Sequence, residues 1–271
     1  MTNTNPSIRI DVDTSNPGQF FACCGLLELA DRLWDGAEGW FDRECFNISM
    51  NGSLVSLIEA VSTAELTQLD PGNATSSPIQ FGAPFRSLRL DWWQDEDAGG
   101  KALKVWAGSM ESYGIAKAMQ HAMRSEKFHF PCLFDIGMIV YDPNDMRKKK
   151  EPFYFDARRG LNAHPRDVGF SLNALEMNTT AFPAVELLCL VGLQRCLPAK
   201  TNRLRVFDYF TWATPLPPEL LPPVVAGEFP LFKPRGYQFE NWYRTGQKKH
   251  KAFRSAIPIQ HKRQTRGADH E

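Results

Sequence analysis

The stretch from Pro183 to Cys196 carries only three polar side chains, Glu186, Gln194 and Arg195, and Pro198 closes it. A helix with so little polar surface must be covered on nearly every side, so the rest of the chain has to fold around it. Its longest apolar run, Leu187 to Leu193, is seven residues long and includes Gly192, far short of the roughly 20 needed to span a bilayer. Asn178, Thr179 and Thr180 stand ahead of it as candidate caps. The segment predicts a deeply packed helix in a soluble protein.

Around it the hydrophobic period changes from element to element. Ser7 to Asp13 alternates, with Ile8, Ile10 and Val12 opposite Arg9, Asp11 and Asp13, as in a half-buried strand. Asn16-Pro17 then offers an N-cap and a proline at the first helical position, and Phe20, Cys24, Leu27 and Trp34 recur at helical spacing as far as Gly36. Cys45 to Met50 reads as a strand ending at Asn51-Gly52, and Leu54 to Leu66 as a short helix. Asp70 to Pro84 reads as a loop, Arg86 to Trp93 as an alternating strand, and Ser109 to Ser125 as a helix. Phe134 to Tyr141 and Phe153 to Asp156 read as strands flanking a basic loop, Asp142 to Pro152. Arg203 to Leu216 and Tyr237 to Thr245 alternate over longer stretches, with Leu204, Val206, Phe210 and Trp212 on one face of the first, and are expected to pair as an antiparallel ribbon.

These elements predict an α+β fold: a mixed, mostly antiparallel sheet with several packed helices. Residues 1–254 are expected to form a single body, with a division into two lobes near 135–150 left open, and 255–271 a flexible basic tail. The polar stretch Met1 to Ser7 has no apolar leader pattern, which predicts a cytoplasmic protein with no membrane contact. In that compartment the six cysteines stay reduced, and none are spaced as Cys-x-x-Cys, so neither disulfides, a metal nor a cofactor is expected.

Charge is where the sequence points to a partner. The net charge is zero, yet residues 1–135 carry ten Lys/Arg against eighteen Asp/Glu, and residues 136–271 carry twenty-one against thirteen. The excess of positive charge gathers further, in Arg147, Lys148, Lys149 and Lys150, then in Arg158, Arg159 and Arg166. A third group is Arg203 and Arg205, and a fourth is Arg244, Lys248, Lys249, Lys251 and Arg254. Guanidinium forks and mobile ammonium groups suit phosphate. Tyr237, Phe239, Trp242 and Tyr243 lie beside Arg235, Arg244, Lys248 and Lys249, a mixture suited to single strands or splayed bases. All fourteen basic residues of the four groups are candidate nucleic-acid contacts.

Signs of chemistry are thinner. Asp11 and Asp13 share a strand face and have the spacing to hold a cation, and His164, beside Arg158, Arg159 and Arg166, has the surroundings of a proton-transfer group near phosphate. Both also read as solvated surface. No catalytic residue is assigned, and a nuclease remains the alternative reading.

Four segments resemble a family encoded in type I-U (I-G) CRISPR loci. They are Asn16-Pro17-Gly18-Gln19-Phe20-Phe21-Ala22-Cys23-Cys24-Gly25-Leu26-Leu27-Glu28-Leu29-Ala30, Phe155-Asp156-Ala157-Arg158-Arg159-Gly160, Pro183-Ala184-Val185-Glu186-Leu187-Leu188, and Arg205-Val206-Phe207-Asp208-Tyr209-Phe210-Thr211-Trp212. The resemblance spans most of residues 8–254. It implies a non-catalytic subunit of an RNA-guided DNA surveillance complex (Cascade), standing in for the large subunit. Such a subunit contacts CRISPR RNA, target DNA at the protospacer-adjacent motif, and other effector-complex subunits, while cleavage belongs to a separate helicase-nuclease. In that setting Arg158 and Arg159 are candidate phosphate grips, or Asp156 pairs with one of them and stiffens the loop. The acidic half becomes a candidate protein-docking face, and a pure assembly role for the whole subunit is a further alternative.

Overall fold

The computed structural model describes residues 5–160, 180–229, 234–244 and 248–259. The first half runs β1 (Ile8–Asp11), α1 (Pro17–Trp34), β2 (Glu38–Asp42), β3 (Cys45–Ser49), α2 (Leu54–Thr63), β4 (Leu66–Gln68), β5 (Ile79–Phe81), β6 (Leu88–Leu90), α3 (Gly100–Leu103) and α4 (Ser112–Ala122). There follow β7 (Tyr141–Asp142), β8 (Asp145–Lys149), α5 (Ala157–Gly160), α6 (Pro183–Arg195), β9 (Ala199–Lys200), β10 (Val206–Phe210), α7 (Leu221–Val225), β11 (Gly236–Tyr243), β12 (Lys251–Phe253) and β13 (Ile257–Pro258). Every strand pairing among the described residues is antiparallel. Helices and antiparallel sheets pack together in an α+β fold. No described helix is long and apolar enough to cross a membrane.

The nearly apolar helix sits where its composition requires. In α6 every residue from Pro183 to Leu193 is buried, and in α1 every residue from Pro17 to Ala30. The two helices cross in direct backbone contact: a Cβ on Gly25 would lie 2.0 Å from the Leu188 carbonyl oxygen, and one on Gly192 1.9 Å from that of Phe21. Glycine is required at both positions because nothing larger than hydrogen fits. The few polar groups there are all used. Glu28 of α1 pairs with Arg32 and reaches across to Arg195, and the Gln194 amide oxygen accepts the backbone N–H groups of Asp91 and Trp92.

Two sheets cover this pair. One has the order β1-β3-β2, and the other β12-β11-β10-β9 with β13 also on β11. Between them lies an aromatic layer, in which Phe20 of α1 meets Phe41 at 5.3 Å, Tyr209 at 4.4 Å and Trp212 at 6.1 Å between ring centroids. The Trp212 indole N–H donates to the Gly39 carbonyl at 2.7 Å, tying the two sheets together.

The strand Ile8–Asp11, the Asn16 cap of α1 and the β10–β11 ribbon match the sequence reading. Other segments differ from it. Asp70 to Pro84 is not all loop, because Ile79–Phe81 forms the centre of a sheet ordered β4-β5-β6. The strand expected over Arg86 to Trp93 is confined to Leu88–Leu90: Arg86 and Ser87 have positive φ, and Trp92 and Trp93 are both buried in a 3-10 turn. Asp142 to Pro152 is largely a hairpin of β7 and β8, exposed on both faces and so without an alternating signal. Phe134 to Tyr141 starts as a 3-10 turn and contributes only a bridge from Met138 to Ala181 before β7. Residues from Ser255 to Ile259 are not a loose tail: Ile257–Pro258 pairs with β11, and the Ala256 N–H donates to the Ser15 carbonyl. Residues 260–271 lie outside the described set.

The correction at Phe153 to Asp156 explains the most. A strand turns successive N–H groups to opposite sides, but here Tyr154, Phe155 and Asp156 all donate to the single Glu186 carboxylate, at 3.0, 3.2 and 3.2 Å. Tyr154 has φ +78°, which breaks the extended geometry. Helix α6 has no side-chain cap, its N-cap being Phe182. Thr180 is exposed, and Asn178 and Thr179 lie outside the described residues. The buried Asp156 next to this carboxylate accepts from Asn16 Nδ2 at 3.1 Å, and Asn16 Oδ1 accepts the N–H groups of Gly18 and Ala157. The starts of α1, α5 and α6 therefore meet in one polar knot.

Candidate nucleic-acid interface

Among the described residues, a group of cations with few carboxylate partners lines a groove of about 640 Å³ between the ends of β10, β11 and β12 and the segment that carries α3. Arg205 enters it from the turn ahead of β10. Its φ of +61° interrupts the strand alternation, and the turn is held by the Asn241 N–H donating to the Arg205 carbonyl at 2.9 Å. The break turns Leu204 outward to 75% exposure, where simple alternation would have placed it with buried Val206 and Trp212. The Arg205 guanidinium stacks on the Tyr243 ring of β11, with its carbon 4.4 Å from the centroid.

The opposite wall is drawn in by hydrogen bonds that the sequence does not announce. Asn241 Nδ2 donates to the carbonyls of Ala102 and Leu103, and the Lys251 N–H donates to Val105. This brings Lys101 and Lys104, both from the acidic half, to the groove. Lys251 Nζ donates to the Lys101 and Ala102 carbonyls, each at 3.1 Å. Lys104 Nζ donates to Ser76 Oγ at 2.7 Å and to the Thr75 carbonyl at 3.2 Å. Lys248 and Lys249 stand exposed at the rim.

Six cations among the described residues thus line the groove against one carboxylate, Glu96, and that carboxylate is paired with Lys101 at 2.6 Å. Among the described residues no carboxylate forms an ion pair with Lys104, Arg205, Lys248, Lys249 or Lys251. Burial pulls Lys104 down to about 8, and burial with the nearby charges of Arg205 and Lys104 brings Lys251 to about 8 as well. Burial, Arg244 and Lys249 likewise lower His250. A cluster of this kind repels itself and favours an incoming anion.

The other predicted contacts divide into two kinds. On the exposed hairpin, Arg147 and Lys148 pair with Asp145 at 3.1 and 3.8 Å, Lys150 pairs with Asp142 at 3.6 Å, and Lys149 lies opposite Tyr141. Such surface pairs are worth little and exchange readily with phosphate. Arg203 bonds Gln238 at 2.7 Å, and Arg254 lies over the Trp242 ring with Glu240 at 3.9 Å. The second kind is built into the fold. Arg158 pairs with Asp156 and Asp135, each at 2.7 Å, bonds the Phe134 carbonyl and stacks on Phe182 at 3.6 Å. Of the two arrangements the sequence leaves open, the pairing of Asp156 with Arg158 is present. Arg159 is buried 5.7 Å from the Tyr154 ring centroid, and Arg244 lies 3.3 Å over that same ring with its Nε donating to the Lys251 carbonyl. Arg166 and His164 lie outside the described residues.

The aromatic set also divides. Tyr237 and Phe239 belong to the core, while Trp242 and Tyr243 are half-buried and carry arginines. Asp13 accepts from the Ser15 N–H and hydroxyl, closing the turn before α1, and Asp11 lies 3.8 Å from the Cys45 thiol. No group of three or more His, Cys, Asp or Glu able to hold a metal occurs among the described residues. Compared with protein-family models, curated proteins and solved structures, the chain matches none of them.

Proposed function

We propose that this protein is a non-catalytic subunit of a CRISPR RNA-guided DNA surveillance complex, and that the groove between α3, β10 and β12 contacts the sugar-phosphate backbone of guide RNA or target DNA. The observation that carries the contact is the set of five cations at the groove with no carboxylate partner among the described residues. The complex is suggested by the resemblance to the type I-U family. Its four segments correspond to α1, the Phe155 to Gly160 turn, the start of α6, and β10. These are elements that interlock in the core, so the resemblance follows the scaffold rather than scattered surface residues. In such a complex base pairing reads the sequence and the protein holds the backbone.

A salt titration of oligonucleotide binding to the full chain tests this. The logarithm of affinity is expected to fall linearly with that of salt, by about 0.7–0.9 per phosphate neutralised. The exposed double variant Lys248→Glu with Lys249→Glu is expected to bind more weakly and with a shallower slope. Binding that ignores salt, or a slope unchanged by the double variant, overturns the assignment and favours a subunit whose basic patches meet acidic protein.

A further inference from the structure

The groove differs from a basic surface that simply tracks a duplex. Lys104 and Lys251 are half-buried, and their ammonium groups are held by carbonyl and hydroxyl oxygens rather than by carboxylates. Lys251 feels the charges of both Arg205 and Lys104, a repulsion that an entering anion relieves. Arg205 Nε is itself buried with no hydrogen-bond partner among the described residues. The site is therefore fixed, cationic and missing a polar partner.

Its shape then limits what the anion belongs to. A volume of about 640 Å³ falls within the roughly 300–1,000 Å³ of small-ligand pockets, and the groove, open along much of its face, has room for one nucleotide. A duplex presents a convex cylinder with its bases turned inward and can place no base there. The walls also offer more than charge. The Arg205 guanidinium lies over the Tyr243 ring, and Leu204 beside it holds an apolar side chain in solvent at 75% exposure. Unstacked bases are bound on arginine planes and aromatic or apolar faces of this sort.

We infer that the groove seats one unpaired nucleotide of a single strand, with its phosphate at Lys104 and Lys251 and its base against Leu204 and the Arg205–Tyr243 stack. This rests on the proposed backbone-binding role and narrows it to single-stranded nucleic acid. The same chemistry serves a ribo or a deoxy strand, so both are tested.

The experiment compares fluorescently labelled single strands, RNA and DNA, with a duplex of the same sequence, on the full wild-type chain and on Leu204→Ala. Leu204 is exposed and uncharged, so its truncation leaves folding and the salt slope intact. Single strands are expected to bind at least tenfold more tightly than duplex. Leu204→Ala is expected to weaken single-strand binding about fivefold or more while leaving duplex binding unchanged. The preferred sugar identifies the strand. Equal or tighter duplex binding, or single-strand binding indifferent to Leu204→Ala, overturns the seated nucleotide but leaves the backbone role intact. Absence of binding to every oligonucleotide removes both.

Discussion

Replacing Glu186 with glutamine will destabilise the protein at pH 5, and the deficit will shrink or disappear by pH 8. The carboxyl group is completely buried, and burial, with Asp156 beside it, raises it to about 7 against the opposing pull of three backbone N–H donors. In the unfolded chain it titrates near 4.5. Between those two values the folded protein holds a proton that the unfolded chain has released, so stability falls as pH rises through the window. The difference between 4.5 and about 7, at about 1.4 kcal/mol per tenfold in proton affinity, amounts to about 3 kcal/mol lost by pH 8. Glutamine has nearly the shape of the protonated acid and no such loss, but both carboxylate oxygens accept backbone N–H groups, so its NH2 leaves one N–H without an acceptor at every pH. Urea unfolding of both proteins at pH 5 and pH 8 measures it, because groups that titrate alike in the two proteins cancel in the difference. A deficit of about 1–3 kcal/mol for Glu186→Gln at pH 5, the cost of an unsatisfied N–H, which shifts by about 2–3 kcal/mol in the variant's favour by pH 8, is the expected outcome. The same deficit at both pH values, with no shift between them, would show that the three donors keep Glu186 ionised throughout and would refute the reasoning.

Two further outcomes follow from the core. Gly192→Ala will cost more than about 3 kcal/mol by urea denaturation, because its Cβ meets backbone rather than a side chain that can turn away. Arg158→Ala will cost about 3 kcal/mol by leaving the buried Asp156 carboxylate without its guanidinium, whereas a residue devoted to phosphate would leave stability unchanged and alter only nucleic-acid affinity.

The fold was legible where local period and burial coincide. Asn16-Pro17 marks the start of α1 because the cap and the proline act within one turn, and the β10–β11 ribbon shows because one face of each strand is apolar. Phe153 to Asp156 misleads because three aromatic residues suggest a strand, while their N–H groups are satisfied by a carboxylate some thirty residues away. The Arg205 turn misleads for a related reason: positive φ in an arginine has no compositional sign, so Leu204 is assigned to the wrong face. At the groove, Arg205 and the run Lys248, Lys249 and Lys251 are visible in the sequence as members of two separate basic groups. Lys101 and Lys104 are not, since they follow Asp95, Glu96 and Asp97 and reach the site only through Asn241 and the Lys251 backbone. Counting charge along the chain also cannot see that Asp135 and Asp156 neutralise Arg158.

The crossing of Gly25 on Gly192 has a consequence for how the protein is made. Helix α1 is complete at Trp34, but the helix it must touch ends at Arg195, roughly 160 residues later. At synthesis rates of about 5–20 residues per second, a ribosome leaves that apolar surface without its mate for on the order of ten to thirty seconds. During that interval the emerging amino-terminal part is a natural client for holdase chaperones.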